Sequence, residues 1–413
     1  MRYPFAIGAA LIVPFALFMP KSLTPLFILL ALCGLYSGFG QIRSLAIPSK
    51  PLIVFWAGSI FLFTVSWLWS IAPYETLRLI LPVAGLIFLG IVTTNLAFKI
   101  DIYERSFVCR SIAIGSTIGF IVLCVEVFSP LFFTNFFFSL FKNVKFSVSY
   151  NYETILRNGA NIAALVVFPA IAVTWRSKIR PFAVMLVVLA VVTLVVSKAG
   201  GALFALLIGL TAIVVTCVFR RHVRIFFGSI LIVFALAMPV IVSVLPSAGD
   251  IEERYPNFPN SVYPRIFIWQ SSAKYIFENP ILGKGFNSSR AISKPEDRVE
   301  YSTRVLKNTR ASVPIPLHPH NAILQIWLEL GFVGIGSFLA LLLILIKRIE
   351  QLSSSLAMRA FAYGSFFSAF TIANVSYGIW QNWWISVLWL TTTFTIISTR
   401  DEPPLTGSHD TAP

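Results

Sequence analysis

Residues 318–346, HPHNAILQIWLELGFVGIGSFLALLLILI, decide how the rest of the chain is read. The stretch opens on two histidines and an asparagine. From Asn321 onward Glu329 is its one ionisable side chain, until Lys347 and Arg348 close it. An apolar run of this length reaches the ~17–25 residues that cross a bilayer as a helix. It also lacks the apolar–polar alternation of a membrane-barrel strand. Residues 320–346 therefore read as a transmembrane helix with His318 and His320 at its outer boundary.

Runs of the same kind fill the chain. Of its 413 residues 57% are hydrophobic and only 12% charged, so the apolar residues are too many for one soluble core. The candidate spans are 4–20, 23–40, 52–70, 79–98, 107–130, 160–175, 182–197, 202–219, 225–245, 320–346, 358–378 and 382–398. That makes about twelve, and the predicted fold class is an all-α polytopic integral membrane protein. Residues 1–400 form one transmembrane domain, and 401–413 a disordered cytoplasmic tail.

Orientation follows from short basic connections. With both termini cytoplasmic, the inner loops hold Arg43 and Lys50; Lys99 and Arg105; Arg176, Lys178 and Arg180; Arg220, Arg221 and Arg224; and Lys347 and Arg348. Much of the net charge of +15 is thus topology, and no nucleic-acid partner is expected. The four cysteines lie in or beside spans, so no disulfide framework is implied. The first span is read as retained, because no small-residue cleavage site follows it. Trp69, Trp380 and Trp383 at span ends read as an interfacial aromatic belt.

Two outer loops break the pattern of tight connections. The first, 131–159, is aromatic-rich. The second, 246–317, is the large periplasmic loop inserted between the ninth and tenth spans, and loops this long are usually functional or disordered. Within it, Ile266, Trp269, Ala273, Ile276 and Phe277 recur at helical spacing before a Pro-Gly stop, which predicts an amphipathic helix on the membrane face. The charged stretch after it, from Asn287, reads as mobile. Asp250, Glu252 and Glu253 read as a solvated turn, not a metal site.

A histidine near a span end is a natural general base, because its ordinary pKa lies close to neutral pH. His320 or Asn321 is placed to cap the helix, since Pro319 cannot sit deep in one. Asn321, Gln325 and Glu329 form a polar stripe, with Glu329 about 13 Å below His320 at 1.5 Å per residue, near mid-bilayer. A packing and positioning role is expected of it. Gly331 and Gly334 are expected to admit a neighbouring helix.

Cations on the outer side are the second ingredient: Arg78, Arg157, Lys198 and Arg265. They suit an anionic, lipid-linked substrate, and would equally suit anionic lipid headgroups.

His320 and Asn321, followed after nine residues by GFVG, resemble the signature of bacterial O-antigen ligases. Their superfamily also holds O-antigen polymerases and protein O-oligosaccharyltransferases. RIFIWQSSAKYIFENPILGKGF, beginning at Arg265, resembles the family's loop helix and its Asn-Pro-x-x-Gly-x-Gly ending. SKAGG resembles the family's Ser-Arg-Gly turn, with Lys198 where arginine is usual. SWLWSIAPYETLR and RNGANIAALVVFPA are similar to the connection between its third and fourth spans and to the start of a later span. Ile335 stands where Thr or Val is usual. Lysine keeps charge but loses the planar fork, leaving Arg157 to supply a bidentate contact.

The resemblance implies a GT-C-like architecture and a metal-independent inverting glycosyltransferase in the bacterial inner membrane, without a cofactor. It would move polysaccharide from undecaprenyl pyrophosphate to a sugar hydroxyl of lipid A–core on the periplasmic face, completing lipopolysaccharide. His320 would be the catalytic base, with His318 or Asn321 holding its ring. Arg265, helped by Lys198 or Arg157, would stabilise the leaving group, with Arg78 a further substrate-binding candidate. A polymerase of the same superfamily is the alternative, since it differs only in acceptor. A transporter or lipid flippase fits less well, because no symmetry relates two halves of the chain.

Overall fold

The computed structural model describes residues 1–37, 50–129, 131–142, 152–259, 261–300 and 311–401. Arg43, the tail beyond Asp401 and the centres of both long loops (143–151 and 301–310) lie outside these residues.

A backbone in lipid must satisfy its own hydrogen bonds, so the apolar runs become helices. They are α1 (Arg2–Phe18), α2 (Leu23–Ser37), α3 (Lys50–Val65), α4 (Pro73–Lys99), α5 (Ile102–Phe128), α6 (Phe132–Lys142), α7 (Tyr152–Arg176), α8 (Arg180–Val196), α9 (Gly200–Phe219) and α10 (Val223–Ser243). Then follow α11 (Ala248–Arg254), α12 (Val262–Glu278), α13 (Ala322–Leu352), α14 (Leu356–Val375) and α15 (Asn382–Thr399). Among the described residues eight helices are long and apolar enough to cross a membrane. The architecture is that of an all-α polytopic membrane protein. The described strands are a two-residue antiparallel pair, Val299–Glu300 with Ala311–Ser312.

The bundle is apolar outside as well as inside, as lipid requires. Leu81, Phe88, Val214, Val218, Ile225 and Val233 face outward with at least 61% of their surface exposed. At the centre, α7 is nearly wholly buried and packs against α1, α5, α8, α9, α14 and α15.

The segment between α10 and α13 is more ordered than its composition implies. Helix α12 forms as the apolar spacing predicts, packing on α10 and α13 through Ile266, Ile268, Ala273 and Ile276, while Phe277 stays exposed. Asp250 closes a capping box with Ser247 at the start of α11, and Glu252 is buried, so this acidic run is a capped helix and not a solvated turn. After α12 the chain does not become mobile at Asn287: Phe286, Asn287, Ser288 and Ser289 are all buried.

The reason lies in α13, which breaks at Gly331 (φ 61°, ψ −153°). The break frees backbone groups that loop 279–289 recovers. Phe332 N–H donates to Pro280 O (2.8 Å), Lys284 N–H to Leu328 O (3.0 Å) and Gly285 N–H to Glu329 O (2.8 Å). Irregular backbone at such a place persists where protein satisfies it. A Cβ at Gly331 would fall 2.3 Å from Ile281 O, and one at Gly283 2.5 Å from the Glu329 carbonyl carbon. Gly331 thus admits a loop and not the expected neighbouring helix, and a Cβ at Gly334 would meet Leu330 and Ile326 of the preceding segment.

The break also moves Glu329. Glu329 lies level with the α3–α4 turn, where Ser66 accepts from Phe286 N–H and Thr76 donates to Phe286 O. It sits at the end of the bundle, not in its middle.

Candidate active site

Four connections meet at that end: the α3–α4 and α8–α9 turns, the α14–α15 connector and the approach to α13. The Trp269 indole N–H of α12 donates to Pro319 O at 2.9 Å, pinning the His-Pro-His approach to the loop helix. Asn321 caps α13 by accepting from Leu324 N–H at 2.9 Å and is buried, so it is a structural cap and does not hold the His320 ring. His320 takes a left-handed backbone conformation (φ 56°), unfavourable for a residue with a Cβ and held by its surroundings.

The His320 ring is held by the backbone. Its Nδ1 lies 2.8 Å from Ser376 O, and because a carbonyl can only accept, Nδ1 carries the proton. Nε2 is left with the lone pair, the form a general base needs. The His318 ring lies beside it, tilted by 48° with centroids 4.3 Å apart, and Gly378 lets the connector pass, since a Cβ there would come within 2.9 Å of the His318 ring. Burial pushes the His318 pKa down to about 3, with His320 and Arg290 adding to the effect. Burial also lowers that of His320, followed by the Ser376 carbonyl, which raises it, and by Arg265 and Arg157, which lower it. Both rings are therefore neutral near pH 7.

The cations part company here. Arg265, in the first turns of α12, gives one N–H to Ser261 O (2.7 Å), while its Nε is buried without a hydrogen-bond partner. Burial and the like charge of Arg157 lower its pKa to about 10. No carboxylate pairs with either arginine among the described residues. Arg157 is exposed near the start of α7. Lys198 is exposed too, with φ 53° in a helix-ending turn where Ala199 N–H reaches back to Leu194 O. No described bond ties its ammonium to the histidines, although Gly201 of the same turn packs near Ser376. Arg78 instead pairs with Glu75 (2.9 Å), which Arg290 also approaches (3.8 Å).

Below the histidines Glu329 is fully buried and accepts four hydrogen bonds: from Ser289 Oγ, Gln325 Nε2 (3.0 Å), Asn287 N–H (2.7 Å) and Trp380 Nε1 (2.6 Å). Gln325 Oε1 in turn accepts from Ile379 N–H at 3.0 Å. The carboxylate thereby ties the inserted loop to the connector that carries Ser376. Trp380 and Trp69, whose indole donates to Leu282 O at 3.1 Å, anchor this assembly.

Sequence reasoning missed the connector. Tyr377 donates to Asn158 (2.9 Å) and accepts from Asn161 (2.7 Å), fixing the turn that presents Ser376 O to His320. The visible signal was the NGAN run beside Arg157, whose two asparagines are those partners. Arg290 was passed over inside the charged stretch, although it directly follows Ser289.

A buried histidine, a half-buried one and two arginines with no carboxylate partner among the described residues thus come together at one end of an apolar bundle, the architecture of a polytopic membrane protein. The O-antigen ligase family model matches residues 184–339, from α8 through the break in α13. A Rickettsia felis protein named "Putative polysaccharide ligase" is 32% identical over 325 residues, covering 78% of this chain and 74% of its own. A protein of the same name from Rickettsia bellii is 29% identical over 332 residues, covering 79% and 75%. The chain belongs to the O-antigen ligase family. The matched region holds Lys198, Arg265 and both histidines, whereas Arg78, Arg157 and the connector lie outside it.

Proposed function

We propose that this protein is an O-antigen ligase that crosses the inner membrane twelve times, with both termini cytoplasmic and segment 246–317 in the periplasm. It transfers polysaccharide from undecaprenyl pyrophosphate to a sugar hydroxyl of lipid A–core. His320 Nε2 removes the proton of that hydroxyl, and the oxygen attacks the anomeric carbon. The bond from that carbon to the pyrophosphate oxygen breaks, with inversion, and the lipid pyrophosphate departs. Arg265 and Arg157 take up the developing charge, the role that preorganised donors fill in a partly dry site, while Lys198 guides the donor headgroup. These cations supply what a metal would otherwise bring, so transfer needs none; loss of activity in chelator, restored by magnesium or manganese, would contradict this.

The observation that carries the reading is the His320 ring, with Nδ1 fixed on Ser376 O and Nε2 neutral near two arginines that have no carboxylate partner among the described residues. The test is the lipopolysaccharide ladder of a deletion strain. Loss of the ladder with accumulation of lipid-linked polymer supports ligation; single repeat units left on the core indicate a polymerase instead.

A further inference from the structure

Loop 279–283, which packs on the break in α13, carries the surface of a membrane span. Ile281 is 66% exposed and Phe332, across the break, 57%, against 62% for the lipid-facing Phe88 of α4. Leu282 and Val333 are exposed as well. Residues 279–283 bear no charge. The charges stand at the loop's two ends, where Lys284 pairs with Glu278 at 3.2 Å.

The backbone of the loop is satisfied as lipid requires. Four consecutive carbonyls, those of Asn279, Pro280, Ile281 and Leu282, accept hydrogen bonds from Gly283 N–H, Phe332 N–H, Val333 N–H and the Trp69 indole. The Lys284 carbonyl accepts from Ile71 N–H at 3.0 Å. A loop in water can leave such groups to solvent, whereas irregular backbone at membrane depth must find partners in protein.

Length points the same way. With Lys347 and Arg348 at the inner boundary, residues 332–346 rise about 22 Å, short of the ~30 Å hydrocarbon core. The remaining ~8 Å on the outer side is met by the break itself and by the loop packed on it.

We infer that loop 279–283, together with Phe332 and Val333, is immersed in the outer leaflet, and that its partner is the acyl chains of the surrounding membrane lipids. The assignment rests on the topology proposed for the ligase, with segment 246–317 on the outer side. The immersed surface continues the lipid-facing side of the bundle, because Trp69 and Ile71 tie the loop to the α3–α4 turn and Phe332 begins the unbroken part of α13. Immersion also sets the height of the site. The chain runs on from the loop to Asn287 and Ser289, which hold Glu329, and His320 stands about 13 Å farther out along α13. That places the histidines at the level of lipid headgroups.

The test uses the full-length protein carrying Cys33→Ser, Cys109→Ser, Cys124→Ser and Cys217→Ser, in vesicles of phosphatidylethanolamine and phosphatidylglycerol. A nitroxide is attached in turn at Ile281→Cys, at Phe332→Cys, at Leu81→Cys as the lipid-facing standard and at Val299→Cys on the exposed strand. Power saturation then compares its collisions with oxygen, which concentrates in hydrocarbon, and with a water-soluble nickel chelate. Oxygen-to-nickel ratios at 281 and 332 are expected to match that at 81 and to exceed that at 299 severalfold. A ratio at either position equal to that at 299 overturns the immersion. Folding is verified by the thermal unfolding midpoint, and Phe332→Cys reads the same surface if Ile281→Cys fails to fold. Topology is tested separately, with a membrane-impermeant thiol reagent on cells whose outer membrane is permeabilised. Val299→Cys should be labelled from outside; protection there overturns the proposed topology, on which the collision ratios do not depend.

Discussion

Arg265 and Arg78 are both arginines near the outer ends of apolar segments, and their surroundings separate them. Arg265 is half-buried, has no carboxylate partner among the described residues, and stands near Arg157 and His320. Arg78 is half-exposed and already paired with Glu75. A paired, solvated guanidinium gains little from a further anion, whereas a partly buried one beside a like charge gains more. A cation's value to a phosphate site is therefore set by what surrounds it, not by its position along the sequence.

The deepest cut into this contrast is removal of the histidine whose charge Arg265 opposes. His320→Ala should lower transfer by about 10²–10⁴-fold, the range of a lost general base, while leaving membrane insertion intact. His318→Ala should be milder. In-vitro ligation with purified donor measures both, and equal losses would remove the base assignment from His320.

Arg265→Ala should cost about 2.7–4 kcal/mol of transition-state stabilisation, by analogy with a lost oxyanion donor. Arg265→Lys should recover part of it, since the charge returns without the fork. The same variant changes the pH profile in a defined direction. His320 is held below its ordinary value of 6.5, so the base stays deprotonated at pH 6.5 and activity falls only at more acid pH. Removing the Arg265 charge raises the His320 pKa, and the acid limb of kcat/KM should move upward. An unmoved limb would place Arg265 away from the base.

Glu329→Ala leaves four donors without their acceptor, at about 1–3 kcal/mol for each that stays buried. It should lower the thermal midpoint in detergent and kcat together, with the acceptor KM little changed. Midpoint and kcat both at wild-type values would show that the carboxylate does not hold the loop and connector in place.

Arg78→Ala should have the smallest effect, since an exposed pair contributes ~0–1 kcal/mol. Donor kinetics and the acid limb should stay at wild-type values. A loss comparable to that of Arg265→Ala would erase the distinction between the two arginines. Lys198→Ala, exposed and without an ion pair among the described residues, should fall between them and weaken donor use more than acceptor affinity.

Composition and periodicity were enough for the helices, because hydropathy is a property of consecutive residues and lipid demands helical backbone whatever the neighbours. Each predicted span coincides with a helix, and α12 follows the spacing of Ile266, Ala273 and Ile276. The histidine pair and Arg265 were legible for a similar reason: ionisable side chains stand out beside apolar runs. The inserted loop was not, since its glycines read as a stop after α12, and their clearance against Glu329 and Ile281 exists only once two distant segments meet. Nor was the depth of Glu329, which followed from assuming an unbroken helix. The His320 ring shows the limit most plainly. Its partner is the Ser376 carbonyl, 56 residues away. Every residue has such a carbonyl, so nothing in the sequence distinguishes this one; only the packing of α14 and its connector against the start of α13 brings it to Nδ1.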